Sequence, residues 1–121
     1  MRRIAVIDDD PNMRDLLRIH LSAIGLAVET YADAATGIRA IIENAPDVLV
    51  LDLTLPDLGG LEVLEALRGD TETKHIRVLV LTSRTDEDTH AQARRLGANA
   101  FLTKPIRREE LVEGVLNLLY T

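Results

Sequence analysis

Four short apolar runs end in residues that can do chemistry. Ile4-Ala5-Val6-Ile7 leads into Asp8-Asp9-Asp10, Val48-Leu49-Val50-Leu51 into Asp52, the run from Ile76 to Leu81 into Thr82-Ser83, and the run from Ala100 to Thr103 into Lys104. If these ends meet, electrostatics dominates the site. Two carboxylates about 5 Å apart at an effective dielectric near 20 repel by about 3 kcal/mol. A cluster of Asp8, Asp9 and Asp52 therefore requires a compensating cation or raised carboxyl pKa values, and one ammonium group, Lys104, offsets only part of the repulsion. The all-oxygen donor set favours Mg²⁺, Mn²⁺ or Ca²⁺ over zinc. Mg²⁺ held by one or two carboxylates and several waters is the pattern of phosphoryl-transfer sites. Taken singly, an Asp after a strand is usually a turn or helix cap. The coincidence of all these residues at strand ends is what points to a site.

The elements that must position them follow from periodicity. Ile4 to Ile7 is a continuous β-branched run, as in a strand buried on both faces. Met13, Leu16, Leu17, Leu21 and Ile24 recur at helical spacing between Asn12 and Gly25. Leu26 to Tyr31 predicts a second strand, and Asp33 caps a second helix carrying Ile38, Ile41 and Ile42 that Pro46 ends. The third strand ends at Asp52. Pro56, Gly59 and Gly60 mark a loop, followed by a helix with Leu61, Leu64 and Leu67. After the fourth strand, Thr85 and Asp88 predict a capping box for a mostly polar fourth helix that Gly97 closes. Ala100 to Thr103 is a short fifth strand, and Leu111, Val112, Val115, Leu116 and Leu119 line a last helix. Asp10 is expected to cap or turn the chain after the acidic pair. Alternating strands and helices imply a parallel sheet covered on both faces, with right-handed crossovers and ligands bound outside the carboxyl ends of the strands.

Composition agrees. The chain has 121 residues, 46% apolar and 28% charged, which suits one domain over residues 1–121. It has no cysteine, which excludes disulfides and thiolate metal sites and fits a cytoplasmic location. A net charge of −6 disfavours direct contact with nucleic acid. No run approaches the ~18 apolar residues of a membrane span, and Ile4 to Ile7 is too short for a signal peptide.

The segments Val6-Ile7-Asp8-Asp9-Asp10, Val50-Leu51-Asp52-Leu53-Thr54-Leu55-Pro56, Val80-Leu81-Thr82-Ser83 and Phe101-Leu102-Thr103-Lys104-Pro105 come in order and at the right spacing over the whole chain. Together they resemble the response-regulator receiver family of two-component signalling systems. The resemblance implies a flavodoxin-like doubly wound (βα)5 fold, a five-stranded parallel sheet of strand order 2-1-3-4-5. It implies that Asp52 is the phosphoacceptor and that Asp8, Asp9, Asp52 and the backbone carbonyl of Thr54 hold Mg²⁺, with Mn²⁺ able to substitute. Thr82 matches the hydroxyl that bonds the phosphoryl group, Lys104 the lysine that pairs with it, and Lys104–Pro105 a bond that is typically cis. The implied donor is a phosphohistidine on a sensor histidine kinase or phosphotransfer protein, and acetyl phosphate is an accepted small donor. The implied activity is a signalling switch that catalyses only its own phosphorylation and dephosphorylation, rather than an enzyme with a separate substrate.

Signal output by resemblance runs from Thr82 to Phe101, with Phe101 moving inward on activation. The fourth helix, fifth strand and last helix then present a changed surface to an effector protein, a fused output domain or a second copy. Four departures from the family pattern stand out. Ser83 replaces a usual Ala or Gly, and Phe101 replaces a common Tyr, so no hydroxyl is there to bond a backbone carbonyl. Gly59-Gly60 is expected to loosen the loop after Asp52. The last helix starts near Arg107-Arg108 without a good N-cap. His20, His75 and His90 show no ligand spacing and read as surface or helix-face residues, with His20 partly buried.

Two rivals use the same ingredients. An Mg²⁺-dependent phosphohydrolase needs a general acid two residues after Asp52, where Thr54 stands, and a substrate-selecting cap for which the length leaves no room. A flavin or nucleotide binder needs a Gly- or Ser/Thr-rich loop after the first strand; here that turn is Asp8-Asp9-Asp10-Pro11-Asn12, which repels phosphate. Within the family, the chain fits either a single-domain regulator or the receiver part of a longer transcriptional regulator. Asn99-Ala100 lacks the acidic pair frequent there in winged-helix DNA-binding regulators, which argues mildly against that subfamily.

Overall fold

The computed structural model describes residues 1–120. Its elements alternate as β1 (Arg3–Ile7), α1 (Pro11–Ser22), β2 (Ala27–Tyr31), α2 (Ala34–Glu43), β3 (Val48–Asp52), α3 (Gly60–Arg68), β4 (Arg77–Thr82), α4 (Glu87–Arg95), β5 (Ala100–Thr103) and α5 (Arg108–Leu119). All strand pairs are parallel, in the order β2-β1-β3-β4-β5. This is the five-stranded, flavodoxin-like architecture that the sequence implies.

Strand periodicity divides the core. Ala5, Ile7, Leu49, Leu51, Val78 and Val80 face one side, beneath α2, α3 and α4. Ile4, Val6, Val48, Val50, Leu79 and Leu81 face the other, beneath α1 and α5. Because both faces are covered, β3 is buried along its whole length. Each fully buried Leu or Val contributes roughly 1.5–3 kcal/mol, so β3 is costly to interrupt. Leu17 and Leu21 anchor α1, while Leu16 is partly exposed on its flank. Leu111 and Val115 anchor α5.

Caps settle the helix starts. Asp10 caps α1 by accepting from the Asn12 N–H at 2.9 Å, and Asp33 caps α2 through the Thr36 N–H at 2.8 Å. The capping box expected from Thr85 and Asp88 is not formed. Asp86 is the N-cap, because its carboxylate reaches the Thr89 N–H three residues on, at 3.0 Å. At the other end Gly97 takes φ +99°, and the Ala98 N–H returns to the Ala93 carbonyl at 2.9 Å, a Schellman closure that favours glycine. α5 begins at Arg108 with no side-chain N-cap; instead Glu110 reaches back to the Arg107 N–H at 3.4 Å.

The Asp86 cap makes α4 acid-sensitive. Bonds from the Thr89 hydroxyl and N–H lower its pKa from 3.8 to about 2. A carboxyl lowered on folding stabilises the folded form above its ordinary pKa and loses that contribution as pH falls through the lowered one. Protection of the Thr89 amide against hydrogen exchange is expected to hold above 3.8 and to fail towards about 2. In Asp86→Ala the amide should exchange fast throughout; equal protection in the variant and the native chain would contradict this.

Candidate functional site

The carboxyl ends of β1, β3, β4 and β5 bring their terminal residues to one rim. Asp8 is fully buried and Asp52 is 5% exposed. One carboxylate oxygen from each of Asp8, Asp9 and Asp52 lies within 4.8 Å of the others, with Asp9 exposed to solvent. Lys104 Nζ lies 3.2 Å from Asp8 Oδ2 and 3.5 Å from Asp52 Oδ2. The Lys104–Pro105 bond is cis, as the resemblance implies. The Lys104 N–H donates to the Thr82 carbonyl at 2.9 Å, which ties β5 to β4 at the rim.

The acidic residues are held from behind. Asp8 Oδ1 accepts from the Asp10 N–H at 2.9 Å, and the Arg14 guanidinium donates to the Asp8 carbonyl at 2.8 Å. Asp52 Oδ1 accepts from the Thr54 N–H at 3.0 Å. Asp52 has a raised pKa: burial is the main cause, with the Asp8 charge adding to it, while the Thr54 N–H and Lys104 oppose. For Lys104, burial disfavours the charge, but Asp52 and Asp8 together outweigh it and raise its pKa. Three carboxylates therefore share one ammonium group. All donors are hard oxygens, one acid is open to water, and the charge balance favours a divalent cation. This set fits Mg²⁺.

Thr82 is buried at the end of β4, and its Oγ1 accepts from the Arg84 N–H at 2.9 Å. Phe101 is half-buried against the core under α4. The structure thus pairs Lys104 with Asp8 and Asp52, brings Asp9 within 4.8 Å of both carboxylates, and puts Thr82 on the adjoining strand end, with Phe101 next to Val80 in the sheet register. Thr54 is exposed, with its N–H on Asp52.

Gly60 corrects an expectation. A Cβ there would stand 2.5 Å from Leu53 Cα and 2.7 Å from the Asp52 carbonyl oxygen. The Gly60 N–H also donates to the Leu53 carbonyl at 3.0 Å. The first turn of α3 is pressed against the backbone that carries Asp52, so this glycine tightens the segment rather than loosening it.

Two residues that the sequence did not single out, Asp57 and Arg68, brace the surrounding structure, and Asn99 and His90 have partners that it did not reveal. The Asp57 carboxylate accepts from the Ala34 and Ala35 N–H groups at 3.0 and 3.1 Å, and those two bonds hold its pKa below the ordinary range. It thereby fastens the loop after Asp52 to the start of α2. Arg68 donates to the carbonyls of Lys74, Ile76 and Gly97 and to Asn99 Oδ1, joining the end of α3, the approach to β4 and the turn after α4. Asn99 Oδ1 also accepts from the Val78 N–H at 2.8 Å. The His90 ring stacks on Phe101 with centroids 5.0 Å apart. Asp57 and Arg68 are ordinary loop and helix-end residues by pattern, and only the tertiary fold reveals their partners.

Comparison with known proteins gives consistent matches. A family model described as response regulator receiver domain matches residues 4–116. The transcriptional regulatory protein KdpE of Mycobacterium tuberculosis is 41% identical over 112 residues, covering 93% of this chain and 48% of that protein. The DNA-binding dual master transcriptional regulator RpaA of Synechocystis is 39% identical over 119 residues, covering 98% of this chain and 49% of that protein. The chain thus spans about half the length of these curated relatives. Among solved structures, the chemotaxis protein CheY4 of Vibrio cholerae superposes with a TM-score of 0.93 at 27% identity, covering 98% of this chain and 99% of that one. Among the described residues, no helix is long and apolar enough to cross a membrane.

Proposed function

The chain belongs to the response regulator receiver family, phosphoaccepting switches of two-component signalling, and on that premise we propose that Asp52 is the residue that takes the phosphoryl group. The observation that carries this reading is the meeting of Asp8, Asp9, Asp52 and Lys104 at one rim of the sheet. Asp8, Asp9, Asp52 and the Thr54 carbonyl would hold Mg²⁺. When bound, the ion supplies neutralising charge for the equatorial phosphoryl oxygens.

A carboxylate oxygen of Asp52 attacks the phosphorus of a phosphohistidine, the new O–P bond forms, and the P–N bond breaks. The leaving imidazole nitrogen keeps the electron pair and takes its proton from solvent. Lys104, released from part of its pairing with Asp52, stays beside the phosphoryl oxygens as a charged donor. The Thr82 hydroxyl moves to donate to them. Attack of water on phosphorus later returns the Asp52 carboxylate and inorganic phosphate. On this reading the domain catalyses only its own phosphorylation and reset. Phe101 then moves inward and changes the α4-β5-α5 surface seen by an effector, a fused output domain or a second copy.

The donor on this reading is a sensor histidine kinase or phosphotransfer protein, in the cytoplasm. The half-length coverage of KdpE and RpaA supports a second reading of the output, in which this domain is the receiver part of a longer transcriptional regulator.

Incubation with acetyl phosphate and Mg²⁺, followed by intact mass measurement, tests the core of this. One phosphoryl mass is expected per chain, and none once the divalent cation is removed by a chelator. Uptake that persists under chelation, or no uptake at all, would overturn the assignment.

A further inference from the structure

We propose that His90 is a positioning residue that carries the movement of Thr82 to Phe101, through the backbone of Arg84. The inference rests on the assignment of Asp52 and adds a link that neither the site residues nor the family match supplies.

No hydrogen bond or ring contact joins Thr82 to Phe101 directly among the described residues; other groups make the connection. Arg84 is held at both ends of its own backbone. Its N–H donates to Thr82 Oγ1 at 2.9 Å. Its carbonyl lies 3.0 Å from His90 Nε2. A carbonyl only accepts, so Nε2 carries the hydrogen. The imidazole then lies on the Phe101 ring, with centroids 5.0 Å apart and planes 15° from parallel. The Arg94 guanidinium stands over the same ring, 5.4 Å from its centroid. Thr82 Oγ1, Arg84, the His90 ring and the Phe101 ring thus form one unbroken series of contacts.

Phe101 has no polar atom on its side chain, so nothing on it can grip the loop between β4 and α4. His90 supplies the grip: its ring nitrogen is fixed to the loop, and its ring face is fixed to Phe101. α4 otherwise buries only Thr89 and Ala93. With so little core contact, it can follow a pull on its first turns. When the Thr82 hydroxyl turns towards the phosphoryl group, Arg84 is drawn with it, the Arg84 carbonyl draws the imidazole, and the stacked Phe101 ring follows.

Phe101 is the chain's one phenylalanine, so biosynthetic 4-fluorophenylalanine gives a single ¹⁹F resonance at the switch. In the native chain, beryllofluoride with Mg²⁺ is expected to displace that resonance, and ¹⁵N spectra of the imidazoles to show a protonated Nε2 at His90 whose signal moves with it. His90→Phe keeps an aromatic ring on Phe101 and removes the hydrogen bond; His90→Gln keeps an amide donor and removes the ring. Loss of one such bond is expected to change the equilibrium between the two Phe101 positions about fivefold. Both variants should still gain one phosphoryl mass from acetyl phosphate, since neither touches the rim, while the beryllofluoride-induced displacement shrinks. A full displacement in either folded variant, or an unmoved His90 signal in the native chain, would overturn this link and leave the Asp52 assignment standing. No phosphoryl uptake in the native chain would overturn both.

Discussion

Asp52→Asn is expected to abolish phosphoryl uptake while making the metal-free fold more stable. The amide oxygen lacks the full negative charge of a carboxylate and cannot form the acyl phosphate, so the mass gain from acetyl phosphate should vanish. Stability should move the other way. Burial and the neighbouring Asp8 raise the Asp52 pKa, which means that the fold tolerates the charged form reluctantly. Asparagine has nearly the same shape, can still accept from the Thr54 N–H, and carries no charge. Lys104 keeps Asp8 as a partner at 3.2 Å. At an effective dielectric near 20, relief of about 3 kcal/mol of repulsion from each of Asp8 and Asp9 is largely offset by the lost attraction to Lys104, which leaves about 1 kcal/mol. For a domain of this size that raises the melting temperature by about 4 °C without divalent cations. Mass spectrometry and thermal melts in chelator check both parts. Retained uptake would move the phosphoacceptor elsewhere; a lower melting temperature would show that the Asp52 charge supports the fold.

Gly60→Ala is expected to be among the most damaging single-methyl additions in the chain. The new Cβ would stand 2.5 Å from Leu53 Cα and 2.7 Å from the Asp52 carbonyl oxygen, both backbone atoms that cannot swing aside. Either α3 lifts and pulls its own fully buried Val63 and Leu64 out of the core, or the segment holding Asp52 shifts. Overpacking of this kind costs about 2 kcal/mol, or roughly 8 °C in melting temperature for a domain of this size. The second route also displaces Asp52 from Asp8 and Lys104, so phosphoryl uptake should slow together with the loss of stability. Gly59→Ala is the control, because its nearest neighbour is the end of the flexible Glu62 side chain, at 3.3 Å. A melting temperature for Gly60→Ala equal to that of Gly59→Ala would refute the close-approach argument.

The element order and the rim were legible in the sequence for a physical reason. A parallel sheet covered on both faces needs continuous apolar strands, and such a strand stops where the first polar residue appears. Asp8, Asp52 and Thr82 are those stopping points, and Lys104 directly follows the end of β5, so the pattern that defines the strands also places the site. Other features depend on distances that no local pattern encodes. Asp86 and Thr85 are both good caps, and which of them closes on α4 depends on where the loop leaves β4. Gly60 looks like loop slack in the sequence; only its approach to Leu53 shows that it is required. The acceptors of Arg68 come from three separate places, at Lys74 and Ile76, at Gly97, and at Asn99. His90 sits at a helix-face position, and neither Phe101 nor Arg84 is its neighbour in sequence.

The grip of Arg68 makes α4 a helix with unequal ends. Its carboxyl-terminal turn is clamped to the Gly97 carbonyl by a guanidinium that three other acceptors hold in place. Among the described residues, its amino-terminal turn is tied only to the exposed loop before it, through the Asp86 carboxylate and the bond between His90 and the Arg84 carbonyl, and rests on Phe101 by ring stacking. Thermal opening therefore begins at the end nearer the phosphoryl rim and dies out towards the clamp, like a page turning on its spine.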